Sequence, residues 1–277
     1  MRSGYAPGKI ILSGEYAVLF GYSGTAIPAP IGIGVEFEEA AGGGIEIDWE
    51  GQRDERALDY ARRIVSHCLP NRTAHGRLTI RAKVPIGKGM GSSTALVVAI
   101  ARALCGDDRE LALRVEDVVN PGHSGLDFAT IWSGEPVLFR RGEVPQRISL
   151  NLSVLNESVL IDTGSPRETT PELVAWMRGR EGECGSALKS IGECTERLMR
   201  GESLHDVMRE HHKAQVSLGV VPPKVKELVA AIEAEGGEAK IIGAGGRTGG
   251  GGMALAMGNR ERIIALARKS RMPTLAL

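Results

Sequence analysis

The sequence lacks both a hydrophobic run long enough to span a membrane and an excess of charge of either sign. Its 277 residues include 34 Lys and Arg and 34 Asp and Glu, so the formal net charge is zero. A membrane-spanning helix needs about 18 or more predominantly apolar residues in succession, and no segment reaches that length. General nucleic-acid binders usually carry a basic excess. We therefore expect neither a membrane nor a nucleic acid as a partner.

Cysteine is also scarce, and its four positions are scattered. Cys68, Cys105, Cys184 and Cys194 form no C-x-x-C pair, whereas zinc sites and disulfide frameworks use closer spacing. We expect reduced thiols, as is usual for a cytoplasmic protein. The apolar run near the N-terminus is too short and too soon interrupted for a signal peptide, which also predicts a cytoplasmic location.

Enough apolar material is present for a sizeable core, because 42% of the residues are hydrophobic. The length suits one large domain or two modest ones. Residues 31–37 and 77–84 alternate like half-buried strands, and residues 57–68 repeat at helical spacing. Helical patterns then dominate residues 171–235, and two short apolar strands follow. This order predicts an α+β fold with two lobes, 1–150 and 151–277.

A glycine-rich loop precedes the most apolar predicted helix, in the stretch "KVPIGKGMGSSTALVVAIARAL". Gly87, Gly89 and Gly91 allow the backbone to approach a ligand closely, and Ser92 or Ser93 is a good N-cap. A helix start of this kind binds anions, phosphate above all. The spacing matches neither the Walker A nor the dinucleotide motif. The alternative is a tight turn with no ligand.

Two charged residues and a nearby acid stand out elsewhere. Lys9 follows a predicted Pro-Gly turn in "APGKIILSGEYAVLFG", and Asp127 lies among small and apolar residues in "HSGLDFAT". An aspartate in such a setting is costly to bury without a partner. Glu116 lies on the predicted helix before it. The alternatives are a solvated lysine and an aspartate that caps a turn.

Three ordered motifs carry a resemblance to a known family. "PIGKGMGSSTAL", "APGKIILSGEYAVLFG" and "KIIGAGGRTGGGGMALA" are similar to the three signatures of the GHMP kinases, and the "SGLDFAT" stretch most resembles the mevalonate kinases. The resemblance implies a fold with an N-terminal lobe like ribosomal protein S5 domain 2 and a C-terminal ferredoxin-like lobe. It also implies ATP- and Mg²⁺-dependent phosphorylation of an alcohol, here mevalonate, in isoprenoid synthesis. Homodimers are common in the family.

The resemblance also implies a role for each matching residue. Gly87, Gly89, Gly91, Ser92 and Ser93 would surround the ATP phosphates, and Ser93 and Glu116 would bind Mg²⁺. Asp127 would accept the proton of the acceptor hydroxyl, with Lys9 holding both in register. Gly243, Gly245 and Gly246 would line the site from the other lobe. Such a set suits phosphoryl transfer, which depends on positioning and charge stabilisation.

Departures from the family pattern concern the acceptor. Tyr16 replaces a histidine common in animal mevalonate kinases, and Arg247 and Thr248 lengthen the third motif. Phosphomevalonate kinase therefore stays open as an alternative, as does a non-catalytic ligand sensor on the same fold. Three histidines in one helical stretch, residues 205, 211 and 212, are expected to be ordinary helix residues because no ligand set surrounds them.

Overall fold

The computed structural model describes residues 1–69, 74–150, 155 and 158–276. Strands and helices alternate irregularly along this part of the chain, which confirms the predicted α+β class. The strands are β1 (Arg2–Ser13), β2 (Gly24–Glu39), β3 (Ile45–Trp49), β4 (Gly76–Ala82), β5 (Val137–Phe139), β6 (Gln146–Arg147), β7 (Val159–Asp162), β8 (Glu238–Ile241), β9 (Met253–Met257) and β10 (Thr274–Ala276). The helices are α1 (Glu55–Cys68), α2 (Ser92–Cys105), α3 (Arg109–Val119), α4 (Leu126–Ser133), α5 (Thr170–Arg178), α6 (Glu181–Met199), α7 (Leu204–Leu218), α8 (Pro223–Ala234) and α9 (Arg260–Lys269).

The chain folds into two compact units, each assembled from separate segments. The first contains Met1–Lys9, Pro28–Ile86 and Gly91–Gly134, and the second contains Ile10–Ile27, Gly87–Met90 and Glu135–Leu277. The chain therefore passes between the units several times before it reaches residue 135. The predicted lobe boundary between residues 150 and 151 falls next to residues outside those described, so it stays a prediction.

In the first unit, the buried face of a sheet packs on helices. Strand β2 pairs antiparallel with β4, and β3 pairs parallel with β4 after the crossover through α1. Ile33, Val35 and Phe37 alternate along β2 and are almost fully buried, because successive strand residues face opposite sides of the sheet. Helix α2 is buried along nearly its whole length, as its apolar sequence predicted.

In the second unit, four strands form an antiparallel sheet in the order β10-β7-β9-β8. Helices α8 and α9 contribute apolar side chains to one core cluster with this sheet. A second cluster joins α5, α6 and α7 to a short 3₁₀ helix at Ala17–Phe20. Helix α8 begins at Pro223, which suits proline because the first helical position needs no N–H donor.

Two further observations concern membranes and thiols. Within the described ranges, no helix is both long and apolar enough to cross a bilayer. All four cysteines carry free thiols, and three of them are buried.

Candidate active site

Helix α2 starts one residue earlier than a serine cap would allow. Its N-cap is Gly91, with a φ of 70°, and no side chain in the described part of the chain caps it. The prediction that Ser92 or Ser93 is the N-cap is therefore wrong, because the turn needs a left-handed residue that only glycine adopts easily. Both serines lie in the first turn instead. With no side-chain acceptor at the cap, this end of α2 suits an anion.

Lys9 and Asp127 lie side by side in the first unit. The distance between Lys9 Nζ and Asp127 Oδ1 is 3.3 Å, and the two side chains are 3% and 34% exposed. Lys9 lies inside β1, so the Pro-Gly pair continues the strand and the turn predicted there is absent. Gly91 makes room for the lysine, because a Cβ at residue 91 would lie 2.9 Å from Lys9 Cγ. Asp127 occupies the first turn of α4, where the helix dipole favours negative charge.

Glu116 is a buried carboxylate on α3 that accepts two hydrogen bonds. The Thr94 hydroxyl donates to Glu116 Oε1 at 2.7 Å, and the Asn120 amide donates to Glu116 Oε2 at 2.9 Å. Burial raises the pKa of Glu116, while the hydrogen bonds from Thr94 and Asn120 act in the opposite direction. No lysine or arginine among the described residues forms an ion pair with Glu116. A bound cation would compensate the negative charge of the Glu116 carboxylate.

Tyr60, on α1, extends this hydrogen-bond network through Asn120. Its hydroxyl donates to Asn120 Oδ1 at 2.9 Å. Burial raises the pKa of Tyr60, and the negative charge of Glu116 acts in the same direction. Sequence reasoning missed Tyr60, Thr94 and Asn120. Asn120 carried a usable signal, because it lies four residues after Glu116 on the same helix face.

In the second unit, the two glycine loops touch through their backbones. A Cβ at Gly243 would lie 2.7 Å from the Gly89 Cα atom, so this approach requires glycine. The Met253 amide donates to the Lys88 carbonyl at 2.8 Å, and Lys88 Nζ lies 2.9 Å from Asp162 Oδ1. The residues predicted to line the site from the third motif are therefore in contact with the loop that contains Gly87 and Gly89.

The rest of the third motif is tied down within the same unit. Gly245 has a φ of 68°, and the Gly246 amide donates to the Val220 carbonyl at 2.9 Å, so that N–H is already used. The Tyr16 hydroxyl donates to the Ala244 carbonyl, and burial raises the pKa of Tyr16. The loop around Gly245 is thus held in place by backbone and side-chain hydrogen bonds.

The two extra residues of this motif have defined partners. Glu168 accepts hydrogen bonds from the Arg247 amide, the Thr248 amide and the Thr248 hydroxyl. The Arg247 guanidinium lies over the Trp176 ring, 4.4 Å from its centroid. The insertion is therefore an ordered part of the loop.

A fully buried ion cluster joins the first and third motifs inside the second unit. Lys240 Nζ forms an ion pair with Glu15 Oε1, and His211 Nε2 lies 2.8 Å from Glu15 Oε2. Burial alone would raise the pKa of Glu15, but Lys240 and His211 lower it to about 2. His211 is thereby a partner of a carboxylate, and His205 contacts Glu238.

The described residues contain no group of three or more His, Cys, Asp or Glu side chains that could hold a metal ion. Kinases need no such cage, because Mg²⁺ is usually held by one or two protein oxygens together with nucleotide phosphates and water. The carboxylate of Glu116 and the hydroxyl of Ser93 are hard oxygen donors. Their chemistry fits Mg²⁺, and the lack of a cationic partner for Glu116 agrees with this.

Comparisons with known proteins complete the description of the site. A model of the GHMP kinases N terminal domain matches residues 56–135. The mevalonate kinase of Thermococcus gammatolerans is 30% identical over 294 aligned residues, covering 87% of this chain and 85% of the relative. The chain belongs to the GHMP kinase family. It is accordingly a phosphotransferase, as the sequence motifs predicted.

Solved GHMP kinases share its fold. The crystal structure of the Methanococcus jannaschii mevalonate kinase matches with a TM-score of 0.81 at 19% identity, covering 99% of this chain and 96% of that chain. The Streptococcus pneumoniae phosphomevalonate kinase in complex with phosphomevalonate and AMPPNP matches with a TM-score of 0.76 at 17% identity, covering 100% of both chains. At these identities the likeness establishes the fold and leaves the acceptor undecided.

Proposed function

We propose that this protein transfers the γ-phosphoryl group of ATP to the primary hydroxyl of mevalonate, giving 5-phosphomevalonate. The observation that carries the proposal is the pair of Lys9 and Asp127, whose charged atoms lie 3.3 Å apart. The buried cation can orient a hydroxyl, and the partly exposed carboxylate beside it can receive the proton of that hydroxyl. The choice of mevalonate as the acceptor is based on the relatives that are named mevalonate kinase.

In the proposed reaction, Asp127 accepts the proton of the acceptor hydroxyl as its oxygen bonds to the γ-phosphorus. The bond between that phosphorus and the bridging oxygen of ADP breaks, and ADP leaves with the electron pair. Lys9 keeps Asp127 in position and stabilises negative charge on the reacting oxygens. Positioning and charge stabilisation of this kind account for most of the catalysis in phosphoryl transfer.

The nucleotide phosphates would bind at the uncapped start of α2, where Gly91, Ser92 and Ser93 offer N–H groups. Gly87, Gly89, Gly243, Gly245 and Gly246 would allow the backbone to approach the nucleotide, although the Gly246 amide itself is engaged by Val220. Ser93 and Glu116 would hold Mg²⁺, which neutralises phosphate charge when it is bound.

Mevalonate is proposed over phosphomevalonate because a phosphorylated acceptor needs an additional cation. Arg247 has the fixed charge and planar geometry that suit a phosphate, but its guanidinium is stacked on Trp176. The family loop to which it belongs faces the nucleotide, so Arg247 would assist ATP rather than the acceptor.

A coupled assay of ADP release with purified protein and a panel of acceptors tests the proposal. We expect mevalonate to give the highest kcat/KM, and phosphomevalonate, homoserine and galactose to give little turnover. Turnover of phosphomevalonate without turnover of mevalonate would establish the alternative kinase. Nucleotide binding without phosphorylation of any acceptor would establish the ligand sensor.

A cytoplasmic location remains a prediction from the cysteine pattern and the N-terminal sequence, and a homodimer remains a prediction from the family resemblance. The oligomeric state can be measured by sedimentation equilibrium on the purified chain. A monomer at micromolar concentration would contradict the dimer and would leave the proposed chemistry unaffected.

A further inference from the structure

The geometry points to Tyr60, Asn120 and Thr94 as positioning residues that fix the orientation of Glu116 as a preformed ligand for Mg²⁺. This inference rests on the proposed function, since it concerns the metal that accompanies ATP. Tyr60 and Asn120 lie outside the three quoted family signatures, and Thr94 lies within the first of them, directly after the serine pair. Their assignment comes from hydrogen bonds between three helices of the first unit.

These residues form a network of hydrogen bonds around Glu116. Thr94 donates to one oxygen of Glu116 and Asn120 donates to the other, at 2.7 and 2.9 Å. Tyr60 in turn donates to the Asn120 oxygen at 2.9 Å. Each oxygen of the carboxylate therefore has a donor, and the Asn120 donor is itself held by Tyr60.

The network fixes the orientation of the Glu116 carboxylate. With both oxygens of Glu116 engaged by neutral donors, the plane of the carboxylate is fixed and lone pairs remain available to a cation. The direction of each hydrogen bond is also fixed, because Asn120 donates through its NH₂ group to Glu116 and accepts from Tyr60 through its oxygen. Partners of this kind orient metal ligands, and their loss typically costs 10-fold or more in metal affinity or activity.

The network spans three helices. Tyr60 comes from α1, Thr94 from α2 and Glu116 from α3, and Asn120 directly follows the last residue of α3. Thr94 is 3% exposed and Glu116 is 1% exposed, so water is excluded from that side of the carboxylate. The carboxylate of Glu116 would therefore be oriented before a metal ion and the nucleotide arrive.

The binding of Mn²⁺ to the protein in the presence of ADP tests this inference without any acceptor. Free Mn²⁺ is followed by electron paramagnetic resonance in titrations of the wild type, Tyr60→Phe and Asn120→Ala. We expect each variant to raise the dissociation constant of Mn²⁺ by about 10-fold. The double variant should cost less than the product of the two single effects, because Tyr60 acts on Glu116 through Asn120. In the kinase assay, the Mg²⁺ concentration for half-maximal rate should rise more than kcat at saturating Mg²⁺ falls.

Tyr5→Phe is the matched control, since Tyr5 is 53% exposed and lies outside the network around Glu116. It should bind Mn²⁺ like the wild type. Wild-type Mn²⁺ affinity in Tyr60→Phe, a variant that loses a single oxygen atom, would overturn the inference even if Asn120→Ala did not fold. Failure of the wild type to bind Mn²⁺ with ADP would also overturn it. A wrong acceptor assignment would change none of these measurements.

Discussion

At the scale of single residues, Asp127 provides the most direct test of the proposed chemistry. Asp127→Asn keeps the shape of the side chain and removes the proton acceptor, so we expect kcat to fall by about 100-fold or more. ATP binding, measured by calorimetry, should remain within a few-fold of the wild type. Asp117→Asn is the control, because Asp117 is an exposed partner of His123 on α3. Turnover close to normal in Asp127→Asn would refute the proposed role of general base.

Lys9 can be tested by a change that keeps its length and apolar stem. Lys9→Met removes the cation 3.3 Å from Asp127, so turnover should fall by about 100-fold while ATP affinity changes less, because the cation acts on the acceptor hydroxyl. The comparison is between kcat from the ADP-release assay and the dissociation constant of ATP. Equal losses in both quantities would indicate that Lys9 mainly binds the nucleotide.

Glu15 is expected to contribute to the free energy of unfolding of the protein. It is fully buried between Lys240 and His211, and a buried ion pair that loses one partner leaves the other uncompensated. Glu15→Gln should lower the free energy of unfolding by about 3 kcal/mol or more, measured by urea denaturation. Glu46→Gln, which breaks an exposed pair with Arg77, should cost less than about 1 kcal/mol. Similar costs for both variants would show that the buried cluster contributes little.

At the scale of elements, the N-terminus of α2 depends on one glycine. Gly91→Ala would place a Cβ 2.9 Å from side-chain atoms of Lys9 and Ile131 in a residue whose φ is 70°. We expect Gly91→Ala to weaken ATP binding and to lower kcat, each by about 10-fold, because both the helix start and Lys9 must shift. Gly106→Ala at the other end of α2 meets no atom within 4 Å, although its φ is also positive.

Comparing these two variants separates strain from function. Both positions would strain an alanine, because Gly91 is left-handed (φ 70°, ψ 26°) and Gly106 (φ 77°, ψ −160°) lies in a region essentially restricted to glycine. Both variants should therefore lower the thermal midpoint. Only Gly91→Ala should affect the kinetics. If Gly106→Ala reduced kcat as strongly, the effect would come from destabilised α2 rather than from the anion site.

The elements themselves could largely be predicted from the sequence. The alternation in β2 and β4 and the apolar pattern of α1 and α2 are local signals, and the structure confirms them. The start of α2 could not be placed correctly, because good capping side chains at Ser92 and Ser93 competed with a backbone requirement for glycine. Likewise, the family motifs supplied Lys9, Asp127 and Glu116, whereas Tyr60 lies more than 30 residues from its partners in the sequence and becomes visible only in the folded chain.

At the scale of the whole molecule, the arrangement of the units could not be predicted from a division along the chain. Strands β1 and β2 each contain residues of both units, and Gly87–Met90 belongs to the second unit while Gly91 begins a segment of the first. Composition along the sequence detects a change from strands to helices near residue 150. It does not detect a chain that returns to an earlier unit, because that return depends on long-range pairing.

Buried titratable groups in the second unit give the whole molecule a predictable response to acid. Burial lowers the pKa of His211, and burial together with His211 lowers the pKa of His212 to about 4. In an unfolded chain both imidazoles would have a pKa of about 6.5. Between about pH 6.5 and pH 4 the unfolded chain therefore binds protons that the folded chain does not, and stability falls as the pH falls. Glu15 adds a loss in the same direction, confined to the range from about pH 4.5 to 2, because its pKa is lowered in the folded protein.

We therefore expect the free energy of unfolding to decrease by roughly 2 kcal/mol between pH 7 and pH 5 on account of His212 alone, with a further contribution from His211. Urea denaturation at half-unit steps of pH measures the slope. His212→Gln should be less stable at pH 7 and should show a shallower slope, since it no longer takes up a proton on unfolding. His67→Gln changes an exposed histidine on α1 and should keep the wild-type slope. A pH dependence that is the same in all three proteins would mean that His212 is protonated in the folded chain, and the lowered pKa would have to be abandoned.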